Sequence, residues 1–137
     1  MSNRVIAALA LAVLAARCSP VQDTKAADAQ IATFHQKLNA GDFAGIYSAG
    51  SPQMKAAVSQ ADMVHIYSIV HGKLGNFQSG RDTGWSENVN TSGHFLTVNY
   101  SAVFDRGEAL ETFTFRIDGG QERLTRYDAS SRALLPG

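Results

Sequence analysis

The chain has 137 residues, with 12 basic and 12 acidic side chains and a formal charge of zero. That length suits one domain, and 45% hydrophobic with 18% charged residues is ordinary globular composition, without the bias of a disordered chain. No basic excess is present to hold phosphates, which excludes nucleic acid as the main partner.

The first predicted element is an export signal over residues 1–17. Arg4 supplies a minimal positive start, and Val5 to Ala16 is an unbroken apolar run, too short to span a bilayer comfortably. Leu14-Ala15-Ala16-Arg17-Cys18 resembles a bacterial lipobox, which implies lipidation of Cys18. Arg17 departs from the small residue usual before such a cysteine, so ordinary signal-peptidase cleavage after Val13-Leu14-Ala15 stays open. With one cysteine there is no internal disulfide. Residues 18–24 read as a polar tether. Loss of Arg4 and Arg17 with the signal leaves 10 basic against 12 acidic residues.

A first helix is expected over Thr24 to Ala40. Ala27, Ile31, Phe34 and Leu38 form one apolar stripe, and Gly41 stops it. His35 lies next to the stripe and is read as a core-edge residue. Asp42 caps a short second helix whose inward face is Phe43, Ile46 and Tyr47. Gly50-Ser51-Pro52 breaks it, and a further helical turn is expected at Gln53 to Val58. Ser59-Gln60-Ala61-Asp62 opens a longer helix to about Lys73, with Met63, Ile66, Tyr67, Val70 and Leu74 as its stripe. His65 and His71 are six apart and do not share a face. No HExxH or other ligand spacing occurs, so the expectation is no metal site and no cofactor.

From Asn76 the period changes from 3.6 to 2. Phe77 to Val89 reads as a strand bent at Gly80 and Gly84. Asn90-Thr91-Ser92-Gly93 is a turn that sets Trp85 against Val98. His94 to Asp118 reads as a hairpin turning at Arg106-Gly107. In that register Leu96 faces Ile117, Val98 faces Phe115 and Tyr100 faces Phe113, while Thr97, Asn99 and Ser101 meet Arg116, Thr114 and Thr112. One face is apolar and the other mostly polar, so the helices must cover the first. A Gly119-Gly120 turn leads to a last strand, Gln121 to about Ala129.

The expected fold is α+β: N-terminal helices on a bent four-stranded antiparallel meander, with residues 25–129 as one domain and residues 130–137 as a loosely held tail. Leu38-Asn39-Ala40-Gly41-Asp42-Phe43, Tyr47-Ser48-Ala49-Gly50-Ser51 and Leu74-Gly75 resemble motifs of small exported bacterial domains of unknown function, family 4019. The resemblance covers roughly Ala27 to Asp128. It implies a cystatin-like or nuclear-transport-factor-2-like roll in the cell envelope, and it brings no site residues.

No GxSxG, P-loop or Rossmann glycine pattern is present, and Gly119-Gly120 precedes no helix that could hold a phosphate. The strand registers gather one polar row on the apolar face: Arg81, Ala102, Glu111 and Asp128, with Tyr100 and Arg126 a step along. With a three-residue last turn, Thr125 and Tyr127 replace Arg126 there. Tyr47, Arg81, Trp85, Tyr100, Glu111, Phe113 and Arg126 are therefore the candidate pocket, apolar walls with a few polar groups. The same charges also suit an ion-pair network that closes the sheet end.

Two functional classes follow. One is a non-catalytic envelope module, soluble in the periplasm or held to the membrane only by a lipid. It would bind a small apolar ligand, an envelope protein, or a second copy through the open sheet face. The other is an isomerase- or dehydratase-like enzyme, with Glu111 as base opposed by Tyr100 or Tyr47.

Overall fold

The computed structural model describes residues 20–137. The export signal and Cys18 lie outside the described residues. Four helices come first: α1 (Pro20–Ala40), α2 (Phe43–Ser48), α3 (Pro52–Ala57) and α4 (Gln60–Leu74). Strands β1 (Phe77–Asn90), β2 (Gly93–Phe104), β3 (Gly107–Asp118) and β4 (Gln121–Ser130) then form one antiparallel sheet in the order β1-β2-β3-β4. The α+β expectation is met. Helix α1 begins four residues earlier than the spacing predicts.

The caps at Asp42 and Ser59 are those expected, and Ser51, read from the sequence only as part of a break, adds a third. Asp42 accepts from the Gly45 amide, Ser51 from Met54 and Ser59 from Asp62. The α1 stripe of Ala27, Ile31, Phe34 and Leu38 is buried against Leu96, Val98, Phe113 and Phe115 of the sheet. Met63, Tyr67, Val70 and Leu74 of α4 join the same core, but Ile66 is 44% exposed. Burying each such large side chain contributes ~1.5–3 kcal/mol.

The central hairpin turns two residues earlier in pairing than the sequence suggests. Leu96 pairs with Phe115, Val98 with Phe113 and Tyr100 with Glu111, so the turn is Asp105-Arg106. A two-residue slip keeps every side chain on its face, which is why the apolar pattern could not detect it. Tertiary contacts fix the turn. The Asp105 amide donates to the Asn76 carbonyl (2.9 Å), and the Arg106 amide donates to Leu74 (2.9 Å). The Asp105 carboxylate accepts from the Asn76 amide (2.7 Å), and this bond holds its pKa below the usual carboxylate value. Gly75 makes the junction possible. Its φ is +78°, and a Cβ there would lie 2.7 Å from Asp105 Cβ.

Two bulges decide which residues face inward. In β1 the extra residue at Thr83 lets Trp85 pair with Val98, as expected, but moves Arg81 opposite Ser101 on the outer face. In β4 the extra residue is Thr125. Leu124 pairs with Phe115, and beyond the bulge Arg126 pairs with Thr114 and Tyr127 with Phe113. Ser51 ties this bulge to α3: its amide donates to the Leu124 carbonyl (2.8 Å) and its hydroxyl to Thr125 Oγ1 (2.9 Å).

The C-terminal end is held, contrary to the expected loose tail. Arg132–Leu134 form a 3-10 turn, Ser131 Oγ donates to the Glu108 carbonyl (2.6 Å), and Ala133 and Leu134 pack on the core.

Candidate functional site

The most deeply buried charged group is Glu111, 1% exposed. Its Oε2 lies 2.8 Å from His35 Nε2, and Tyr127 Oη donates to its Oε1 at 2.7 Å. Sheet and helix geometry bring the three together. Glu111 and Tyr127 are diagonal neighbours on the inward face, since Tyr127 sits opposite Phe113. His35 follows Phe34 on α1 and is 2% exposed. Its ring stacks on Phe77 at 3.7 Å and meets the edges of Phe34 and Phe113.

An isolated buried carboxylate costs several kcal/mol, and donors on both oxygens offset that cost. Burial, and then the Glu111 charge, push the Tyr127 hydroxyl well above the ordinary tyrosine value, so it stays a donor. His35 Nδ1 and Tyr67 Oη are buried without hydrogen-bond partners. Burial pushes the Tyr67 hydroxyl up as well. A general base must come within ~2.6–3.2 Å of the substrate proton it removes. At Glu111 those positions are taken by His35 and Tyr127.

Beside this cluster an apolar cleft of about 170 Å³ lies between α1, α2 and the sheet. Phe34, Ile46, Phe113, Phe115 and Leu124 give it apolar walls, and Gln30, Thr33 and Lys37 give it polar ones. Lys37 Nζ donates to the Gly45 carbonyl (3.2 Å), and Gln30 Nε2 to the Glu122 carbonyl (2.6 Å). Glu111 does not line the cleft.

A second polar cluster sits at the opposite end of the inward face, where α1 begins. Asp23, Glu87 and His94 each offer one ligand atom, all within 4.8 Å of one another. Glu87 pairs with Leu96 and His94 with Val89, so the two are diagonal neighbours on the inward face and are hydrogen-bonded. Asp23 is within hydrogen-bond reach of Glu87. Glu122, opposite Ile117 on β4, is close enough to feel all three charges. Burial, then the Asp23 charge, raise the Glu122 carboxyl to about 7. Asp23, Glu87 and His94 are the residues whose ligand atoms stand close enough to hold a metal ion, with Glu122 beside them. Their sequence spacing gave no sign of one, because the three come from two strands and a helix.

The structure disperses most of the predicted pocket. Tyr100, half-buried, lies opposite Glu111 and beside the His35 ring, and Phe113 is in the core. Arg81 is exposed on the outer face, moved there by the Thr83 bulge. Arg126 is also exposed, because the Thr125 bulge turns Tyr127 inward in its place, and it pairs with Asp128 at 2.7 Å. Asp128 itself lies opposite Thr112 on the outer face. Trp85 faces inward beyond the helix cover and is 46% exposed. Tyr47 is buried but donates to the Val58 carbonyl (2.9 Å), locking α2 to the end of α3. His35 and Tyr127 are the partners that the pocket as predicted lacks.

Residues 32–120 match the family described as Protein of unknown function (DUF3887), and the chain belongs to that family. The expectation of a domain of unknown function is met, with DUF3887 in place of family 4019. No curated protein matches the chain.

Proposed function

We propose that this DUF3887 protein is an exported, non-catalytic binding module of the cell envelope, which takes a small apolar ligand in the cleft between α1, α2 and the sheet. The observation that carries this reading is the cleft itself. Five large apolar side chains wall it, and Gln30, Thr33 and Lys37, each held by a backbone carbonyl, give it a polar rim. The export part rests on the apolar run before Cys18. Attachment to the membrane would be by a lipid on Cys18, which follows that run in a lipobox-like segment.

The isomerase or dehydratase reading needs a carboxylate turned toward its substrate, and Glu111 is engaged on both oxygens away from the cleft. Titration with octanoate tests the binding reading. Saturable binding is expected, and Ala49→Phe, which fills the cleft from its rim, should abolish it. Binding that survives Ala49→Phe would rule out this cleft. Cys18→Ala should release the protein from the membrane fraction; unchanged fractionation would point to ordinary secretion.

A further inference from the structure

We propose that Asp23, Glu87, His94 and Glu122 form a binding site for a divalent transition-metal ion, which staples the start of α1 to the end of the sheet. Two independent observations point there. The first is convergence. Donor atoms of Asp23, Glu87 and His94 lie within 4.8 Å of one another, from α1, β1 and β2. Around a tetrahedral ion with bonds of about 2.0–2.2 Å, donors stand roughly 3.4 Å apart, so small side-chain adjustments close the set.

The second observation is unmet bonding. Both carboxylate oxygens of Glu122 and Oδ2 of Asp23 are shut off from solvent and accept no hydrogen bond. Buried carboxylate oxygens are ordinarily satisfied, as those of Glu111 are. Nearby basic groups do not answer the need. Arg116 bonds Asp118 and the Ser92 carbonyl, and Arg123 bonds Gln121. Three carboxyl groups crowd against one imidazole, and a divalent cation would hold them together in the ionised form. One nitrogen and several oxygen donors suit zinc or a similar transition ion better than calcium, which takes oxygen alone.

The test is a Zn²⁺ titration of the full chain carrying Cys18→Ser, so that the thiol cannot contribute, read by calorimetry and by thermal unfolding. One equivalent should bind, and the melting temperature should rise with zinc. His94→Ala and Glu122→Gln should each weaken binding by at least about tenfold, while His65→Ala, on the exposed side of α4, should change nothing. Glu122→Gln removes one of the crowded charges and should fold at least as well as the parent, so binding lost there is not lost structure. Absence of saturable zinc binding, or binding unchanged in both His94→Ala and Glu122→Gln, would overturn the site. Calcium bound as tightly as zinc would overturn the choice of ion.

Discussion

The inward face of the sheet carries two carboxylate clusters with opposite bonding. At one end Glu111 has a donor on each oxygen and sits among aromatic rings. At the other, Asp23, Glu87 and Glu122 share a single imidazole, and three of their oxygens are buried and unmet. The first cluster is a finished structural unit whose removal leaves gaps. The second is held together by the fold at a cost in repulsion, and removing one of its charges should relieve the fold. The sign of a mutation's effect on stability, more than its burial, therefore separates a structural cluster from one kept for a ligand.

The largest effect is expected for Glu111→Ala. It strands His35 Nε2 and the Tyr127 hydroxyl in the core and opens a cavity, a loss of about 3 kcal/mol or more in urea unfolding. A loss below about 1 kcal/mol would mean that the cluster contributes little.

Next is the alkaline limb of stability. Tyr67 and Tyr127 both have hydroxyls raised above the ordinary tyrosine value, chiefly by burial. Unfolded tyrosines ionise near about 10, so the stability these two contribute is complete below that pH and is lost as pH rises toward their folded values. The decline should approach ~1.4 kcal/mol per pH unit for each tyrosine. Urea midpoints measured from pH 9 to 11 would check it, and Tyr67→Phe should flatten the slope.

A smaller effect is expected at Ser51, which caps α3 and bonds the β4 bulge. Ser51→Ala should cost about 1 kcal/mol by thermal unfolding, and it should also loosen the Tyr127 register beyond the bulge. That second effect can be read from hydrogen exchange of the Arg126 amide.

Much of this architecture was legible in the sequence. The helix caps at Asp42 and Ser59, the α1 stripe and the alternation of β2 and β3 all follow from local chemistry, and the structure places them so. The polar site was less legible because it depends on bulges. One inserted residue at Thr83 sent Arg81 outward, and one at Thr125 exchanged Arg126 for Tyr127. Each shift answers to a tertiary contact that periodicity does not contain, such as Ser51 on Thr125. His35 was read as a core-edge residue because its partner lies 76 positions away. The second cluster was partly within reach. The turn at Asn90 to Gly93 already sets Glu87 diagonal to His94, and a two-residue turn at Gly119-Gly120 already sets Glu122 opposite Ile117; Asp23 needed the earlier start of α1.

The contrast between the clusters can be tested most directly by unfolding two isosteric, charge-removing variants in urea without metal. Glu111→Gln should destabilise the protein by about 1–2 kcal/mol, because an amide cannot accept on both sides. Glu122→Gln should leave stability unchanged or raise it. Destabilisation of similar size in both variants would contradict the account, and would make the second cluster as much a part of the fold as the first.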